Sequence, residues 1–274
     1  MHNPSSEKAQ SLFDICINFD NEQFNPDREA ILSRAKDAGV RYINFTGSSV
    51  ESSTYASEWA SKDPSHYCST AGIHPHDAKR FDEKTIETLR TLLQNPWVRA
   101  VGECGLDYNR NFSPKEDQLH CFTAHIELAH ELNMPLFLHQ RDAHEDFVAC
   151  MKENQQPAVV HCFTDTRSAL KQYLDLGYFI GITGWICDPK RGETLRSNVS
   201  YIPLDRILIE TDAPWLLPKD MRPKPKKRRN EPAYLPHILD IIAKHMGRNT
   251  AEVAAASTKN ALTFFGMPSC SSHP

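Results

Sequence analysis

Short apolar runs rich in β-branched and aromatic residues alternate along the chain with segments of helical period. The runs Leu12–Asn18, Val40–Thr46, Tyr67–Ile73, Val98–Gly105, Pro135–His139, Ala158–Phe163, Tyr178–Thr183 and Arg206–Thr211 predict eight strands. Between them, Pro26–Ala38, Val50–Ser61, Thr85–Gln94, Pro114–Leu132, Glu145–Glu153, Arg167–Leu176 and Gly192–Val199 predict helices, and Leu235–Met246 and Thr250–Phe265 close the chain. Pro114 suits a first helical turn, and Gly39 and Gly177 suit helix C-termini. The strands are almost continuously apolar, as expected when both faces are buried. Strand followed by helix, repeated eight times in roughly 250 residues, is the count of a (β/α)8 TIM barrel. The rival is an open doubly wound sheet, but no strand here is followed by G-x-G-x-x-G or a P-loop. One barrel domain over residues 1–274 is expected, with its core from about 12 to 266 and a short polar tail at each end.

Composition narrows the field further. Of the 274 residues 40% are apolar and 24% charged, which places the chain among globular proteins. The net charge of −4 excludes a global basic field, so contact with nucleic acid would need a local patch. No apolar run approaches the ~18–20 residues that span a bilayer, and Met1–Lys8 lacks the apolar stretch of a signal peptide. The 8 cysteines are scattered without a C-x-x-C pair and several sit inside apolar runs, so buried free thiols in a reducing cytoplasm are expected. Neither secretion nor membrane insertion is expected.

A barrel builds its active site at the C-terminal ends of its strands. Five strands end there in a histidine or carboxylate: Gly72-Ile73-His74-Pro75-His76-Asp77, Gly102-Glu103-Cys104-Gly105-Leu106-Asp107, His139-Gln140-Arg141-Asp142, His161-Cys162-Phe163 and Glu210-Thr211-Asp212-Ala213-Pro214. A single strand-end histidine ordinarily bonds a nearby carbonyl. Five such ends converging on one mouth point instead to a shared site. Glu103, His139 and His161 make a sufficient ligand set for one divalent cation with positions open to water and substrate. Asp212 is the second carboxylate, either a metal ligand or the acceptor of a proton from metal-activated water.

These motifs, with Arg229-Asn230-Glu231-Pro232, resemble the TatD family of metal-dependent deoxyribonucleases in order and spacing from about Leu12 to Gly266. The resemblance implies a TIM barrel related to the amidohydrolases. It also implies 3′→5′ exonuclease action on single-stranded DNA and RNA, releasing 5′-mononucleotides, with Mg²⁺ as cofactor. Imidazole ligands would suit Mn²⁺ or Zn²⁺ as well. In that chemistry Glu103, His139, His161 and Asp212 hold the metal, Asp212 takes the proton, and His74 hydrogen-bonds the phosphoryl oxygens. Many members open with an H-x-H pair on the first strand that helps hold a second metal. Here Cys16 and Asn18 stand at those positions, so one well-held ion is expected; the chain resembles the branch that lacks the pair, and the departure does not imply inactivity.

The other functional signal is the basic run Arg222-Pro-Lys224-Pro-Lys226-Lys227-Arg228-Arg229. It follows Asp212 and should lie over the mouth. Lys226, Lys227, Arg228 and Arg229 there, with Arg141 from the strand-five motif, are candidates to hold substrate phosphates. Tyr108, Phe112, Phe163 and Trp185 are candidates for base stacking. A monomer acting on single-stranded DNA and RNA is expected. Two alternatives stand beside it: a hydrolase of small esters or amides on the same scaffold, and a non-catalytic nucleic-acid-binding protein.

Overall fold

Eight parallel strands pair in chain order around one axis in the computed structural model, which describes residues 11–225 and 228–268. They are β1 (Leu12–Ile17), β2 (Val40–Phe45), β3 (Tyr67–Ala71), β4 (Val98–Asp107), β5 (Leu136–Arg141), β6 (Ala158–Val160), β7 (Phe179–Ile182) and β8 (Ile207–Ile209). The barrel closes where β1 meets the end of β8. An Ile17–Ala213 bridge forms there, with Asn18 N donating to Ala213 O at 2.8 Å and Asp212 N to Cys16 O at 3.0 Å. Around the strands lie α1 (Arg28–Asp37), α2 (Val50–Ala60), α3 (Glu83–Leu92), α4 (Lys115–Leu132), α5 (His144–Met151), α6 (Arg167–Asp175), α7 (Glu193–Asn198), α8 (Leu235–Met246) and α9 (Thr250–Phe264). The expected barrel is therefore present, each strand overlapping the run that predicts it.

Two apolar layers result from strand alternation. One side of the strands packs against the helices, through residues such as Ile43, Val101, Leu138 and Ile180. The other fills the barrel with Phe13, Ile15, Tyr42, Cys68, Phe137, Val159 and Leu208, onto which α9 lays Phe264 and Phe265. Phe13 stacks on Phe265 with centroids 5.4 Å apart, and Phe179 meets Phe264 edge-on at 5.7 Å. This closes the N-terminal end, leaving the C-terminal mouth as the open end of the barrel.

The larger departures from the expected strand boundaries lie near the mouth. β4 runs on to Asp107, because Leu106 and Asp107 continue the ladder with Gln140 and Arg141. That close pairing requires glycine at 102 and 105, whose φ angles are 134° and 142°. A Cβ at those positions would lie 2.1 Å from Phe137 O and 1.9 Å from His139 O. β6 and β8 are shorter than expected, because the chain leaves the ladder just before His161 and Glu210.

Candidate active site

The mouth holds a cavity of about 770 Å³ lined by residues from most of the strand ends. At its floor sits Glu103, whose side chain is 7% exposed. Its Oε1 lies 2.8 Å from His161 Nε2, 3.2 Å from His139 Nδ1 and 3.4 Å from His74 Nε2. Burial alone would raise the Glu103 pKa, but the His161 and His74 imidazoles outweigh it and hold the group well below the carboxylate range. Residues from β3, β4, β5 and β6 thus converge on one carboxylate oxygen.

The three imidazoles are not equivalent. His74 caps the short 3-10 helix Pro75–Arg80, its Nδ1 accepting from His76 N at 3.1 Å. With Nδ1 an acceptor, the ring proton sits on Nε2, so His74 presents a donor to the cavity. Burial, only partly offset by Glu103, pushes its pKa down to about 3, so the ring is neutral. His139 and His161 each lie between two carboxylates. His139 Nε2 is 3.4 Å from Asp107 Oδ2, and His161 Nδ1 is 3.4 Å from Glu210 Oε2. Both ring nitrogens and Glu210 Oε2 are buried without a hydrogen bond. An imidazole with one nitrogen facing a shared carboxylate and the other facing a further carboxylate is the arrangement of a metal-ligating histidine. The donor set of imidazole nitrogens and carboxylate oxygen fits a divalent cation, and the ligand atoms of His74, Glu103 and His139 lie within 4.8 Å of one another.

Asp107 and Glu210 stand out in the structure, although the sequence assigns them no task. Asp107 Oδ2 accepts from His76 Nε2 at 2.8 Å, and its Oδ1 accepts from Asn109 N and Arg110 N at 2.9 Å each. Burial opposes ionisation of Asp107, but His139 and His76 hold its pKa far down. Glu210 is fully buried, and its Oε1 accepts from Cys162 N at 2.5 Å. Their signal in the sequence is position alone, as carboxylates closing strand motifs.

Asp212 lies at the barrel seam, where the end of β8 meets β1, with φ 55°. Its Oδ1 accepts from Asn18 Nδ2 at 3.0 Å and from the Cys16 thiol at 3.6 Å. The positions of the H-x-H pair therefore supply hydrogen-bond donors to a carboxylate. Burial, opposed by His161 and reinforced by Glu103 and Glu210, pushes the Asp212 pKa up to about 7. Burial and the neighbouring carboxylates likewise push the Cys16 thiol far up, so it stays protonated.

The expected phosphate contacts need correction. Arg141 lines the cavity, joined by Arg110 and Arg191, which the sequence did not single out. Arg229 does not: it is 7% exposed, its Nη1 and Nη2 donate to Asp27 at 2.7 and 3.0 Å, and its guanidinium lies over Phe24. It anchors the loop to α1's approach instead of meeting substrate. Arg228 is exposed but is not among the cavity-lining residues, and Lys226 and Lys227 lie outside the described residues. Of the aromatic candidates, Phe112 and Trp185 line the cavity, and Phe112 is 55% exposed. Phe163 is buried beside Tyr173, and the Tyr108 hydroxyl donates to Asp146, so neither presents a ring to the cavity lining. Trp215, 50% exposed and missed in the sequence, takes a place at the rim.

A family model described as TatD related DNase matches residues 13–266. The 3′-5′ ssDNA/RNA exonuclease TatD of Erwinia tasmaniensis is 48% identical over 259 residues, covering 93% of this chain and 100% of that protein. Among solved structures, a TatD homologue from Escherichia coli K12 superposes with a TM-score of 0.84 at 26% identity, covering 95% of this chain and 100% of the other. A TatD family hydrolase from Entamoeba histolytica gives 0.83 at 26% identity, covering 93% and 98% respectively.

Proposed function

The chain belongs to the TatD-related DNase family, and from that premise we propose that it is a metal-dependent 3′→5′ exonuclease of single-stranded DNA and RNA, releasing 5′-mononucleotides. The observation that carries this reading is the buried Glu103 carboxylate facing three imidazoles, beneath a rim with Arg110, Arg141 and Arg191. Glu103, His139 and His161 would hold one divalent cation, Mg²⁺ or the more imidazole-tolerant Mn²⁺ or Zn²⁺. When bound there, such a cation would supply Lewis acidity at the phosphoryl group and a more acidic water. Asp212 adds the second carboxylate. Asn18 and Cys16 engage its Oδ1, which leaves Oδ2 to take a proton as the nucleophile forms. His74, neutral and with its proton fixed on Nε2, donates to a phosphoryl oxygen that gains charge during displacement.

The rim arginines hold the flanking phosphates, and the exposed rings of Phe112 and Trp215 offer stacking faces to the terminal bases. The single-ion reading is supported by the first strand, where Cys16 and Asn18 donate to Asp212. The described cysteines are all free, which supports a reducing compartment such as the cytoplasm, and no helix among the described residues is long and apolar enough to cross a membrane. Alanine at Glu103, His139 or His161 is expected to abolish hydrolysis while the circular dichroism spectrum stays native. The triple variant should lose little more than each single one, because the ligands act as a unit. Activity of Glu103→Ala within about tenfold of wild type would overturn the ligand assignment.

A further inference from the structure

Cys187, Asp220 and His237 form a second group of metal-binding side chains, separate from the cavity at the mouth. Cys187 ends the 3-10 turn Gly184–Cys187 after β7, Asp220 lies in the loop after β8, and His237 sits in the first turn of α8. Their ligand atoms all lie within 4.8 Å of one another, and His237 Nε2 donates to Asp220 Oδ1 at 2.7 Å. The sulfur is buried, whereas the His237 and Asp220 side chains are 30% and 35% exposed, so the group is open to solvent on one side.

Neighbouring contacts hold the three donors together. Residues 187 and 188 lie against residues 219 and 220: Lys219 Nζ donates to Asp188 Oδ2 at 2.7 Å, beside the Cys187–Asp220 approach. Arg191 Nε also donates to Asp188 Oδ2, at 2.8 Å, which links this corner to the rim of the active-site cavity. The loop is thus already seated where the three donors meet. Thiol, imidazole and carboxylate together are a poor set for Mg²⁺ and a good one for a borderline-soft cation.

We propose that Cys187, Asp220 and His237 bind Zn²⁺, with a water in the fourth position, as a clip that fastens the loop after β8 to the β7 loop and α8. Binding replaces the thiol proton, which is released, and shifts the His237 proton from Nε2 to Nδ1, so that sulfur and Nε2 both offer lone pairs. Thiolate and carboxylate balance the two positive charges of the ion. Removing the clip leaves the Glu103 site intact, since no ligand is shared.

The test is Co²⁺ titration of the chelator-stripped full-length chain, read by the thiolate-to-cobalt charge-transfer absorption. None of the ligands assigned at the active site is a thiol, so the band reports this group, with Cys16→Ser as the control for the thiol near His161 and Glu210. Wild type and Cys16→Ser are expected to develop the band, Zn²⁺ to abolish it by displacement, and excess Mg²⁺ to leave it. Cys187→Ser should lose the band completely, and His237→Gln should weaken Co²⁺ binding by more than about tenfold. Should Cys187→Ser fail to fold, His237→Gln carries the test, since it keeps the thiol and the carboxylate. No band in wild type, a band that survives Cys187→Ser, or unchanged affinity in His237→Gln would overturn the proposal.

Discussion

Glu210→Gln changes one atom at the position that orients His161. In the wild type Glu210 Oε1 accepts from Cys162 N at 2.5 Å, and Oε2 lies 3.4 Å from His161 Nδ1. Gly181 makes room for this carboxylate, since a Cβ there would lie 2.7 Å from Oε1. Glutamine keeps the shape and the bond to Cys162, but it replaces the acceptor facing His161 with an NH₂ donor. The imidazole then does best with Nδ1 as acceptor, which puts its proton on Nε2, the nitrogen that must give its lone pair to the cation. At 3.4 Å and an effective dielectric of about 20, the full ionic attraction is about 5 kcal/mol, which bounds the effect from above. A ligating imidazole that keeps one proton feels a fraction of this, so a loss of about 10- to 100-fold in metal affinity is expected, or roughly 1.4–2.8 kcal/mol. Calorimetric titration with Mn²⁺ measures the affinity, and exonuclease rates across the same metal range show the matching shift, with most of the rate recovered at saturation. An affinity within about twofold of wild type would refute the claim that Glu210 sets the tautomer of His161.

Two further substitutions separate the loop anchor from the substrate rim. Arg229→Ala removes charge-assisted hydrogen bonds to Asp27 and Glu231, which keep Arg34 as a partner, and should cost about 2 kcal/mol, roughly 5 °C in Tm, with DNA affinity unchanged below the transition. Arg141→Gln should do the opposite, leaving Tm nearly fixed and lowering the salt slope of single-strand binding by about 0.7 for a lost phosphate contact; an unchanged slope would remove it from the substrate path. Asp14 predicts a pH effect on stability. Burial, aided by Glu210 and opposed by hydrogen bonds from Thr211 and Cys16, raises its pKa to about 7, above the unfolded value. The native state therefore binds the extra proton, and this contribution is complete below the unfolded pKa and lost as pH rises through about 7. Between about pH 5 and about pH 8, urea denaturation should show wild type losing roughly 3 kcal/mol relative to Asp14→Asn, and parallel curves would contradict it.

Much of the barrel was legible because a buried parallel strand leaves a plain mark, an apolar run, and a barrel site leaves another, a polar residue where the run stops. Glu103, His74, His139, His161 and Asp212 all carry that mark, and the structure brings them to one mouth. What the sequence could not show are relations across long stretches of chain. Arg229 reads as one member of a basic run, and only folding brings Asp27 against it, 202 residues away in sequence. Arg110 and Arg191 look like any exposed loop arginine until the strands set them around the cavity. Cys187, Asp220 and His237 have no motif spacing, because they come from the turn after β7, the loop after β8 and the first turn of α8. Cys16 and Asn18 were legible as substitutions for the H-x-H pair, but their role as donors to Asp212 depends on closure between β1 and β8.

The most direct measurement follows a single-stranded oligonucleotide labelled at its 5′ end through digestion by the chelator-stripped protein, with and without added Mg²⁺ or Mn²⁺. A metal-dependent exonuclease working from the 3′ end predicts a ladder of labelled products shortened one nucleotide at a time, 5′-mononucleotides in the supernatant, and neither without metal or with Glu103→Ala. Early release of the label as a mononucleotide, internal fragments in place of a ladder, or undiminished cleavage by Glu103→Ala would contradict it.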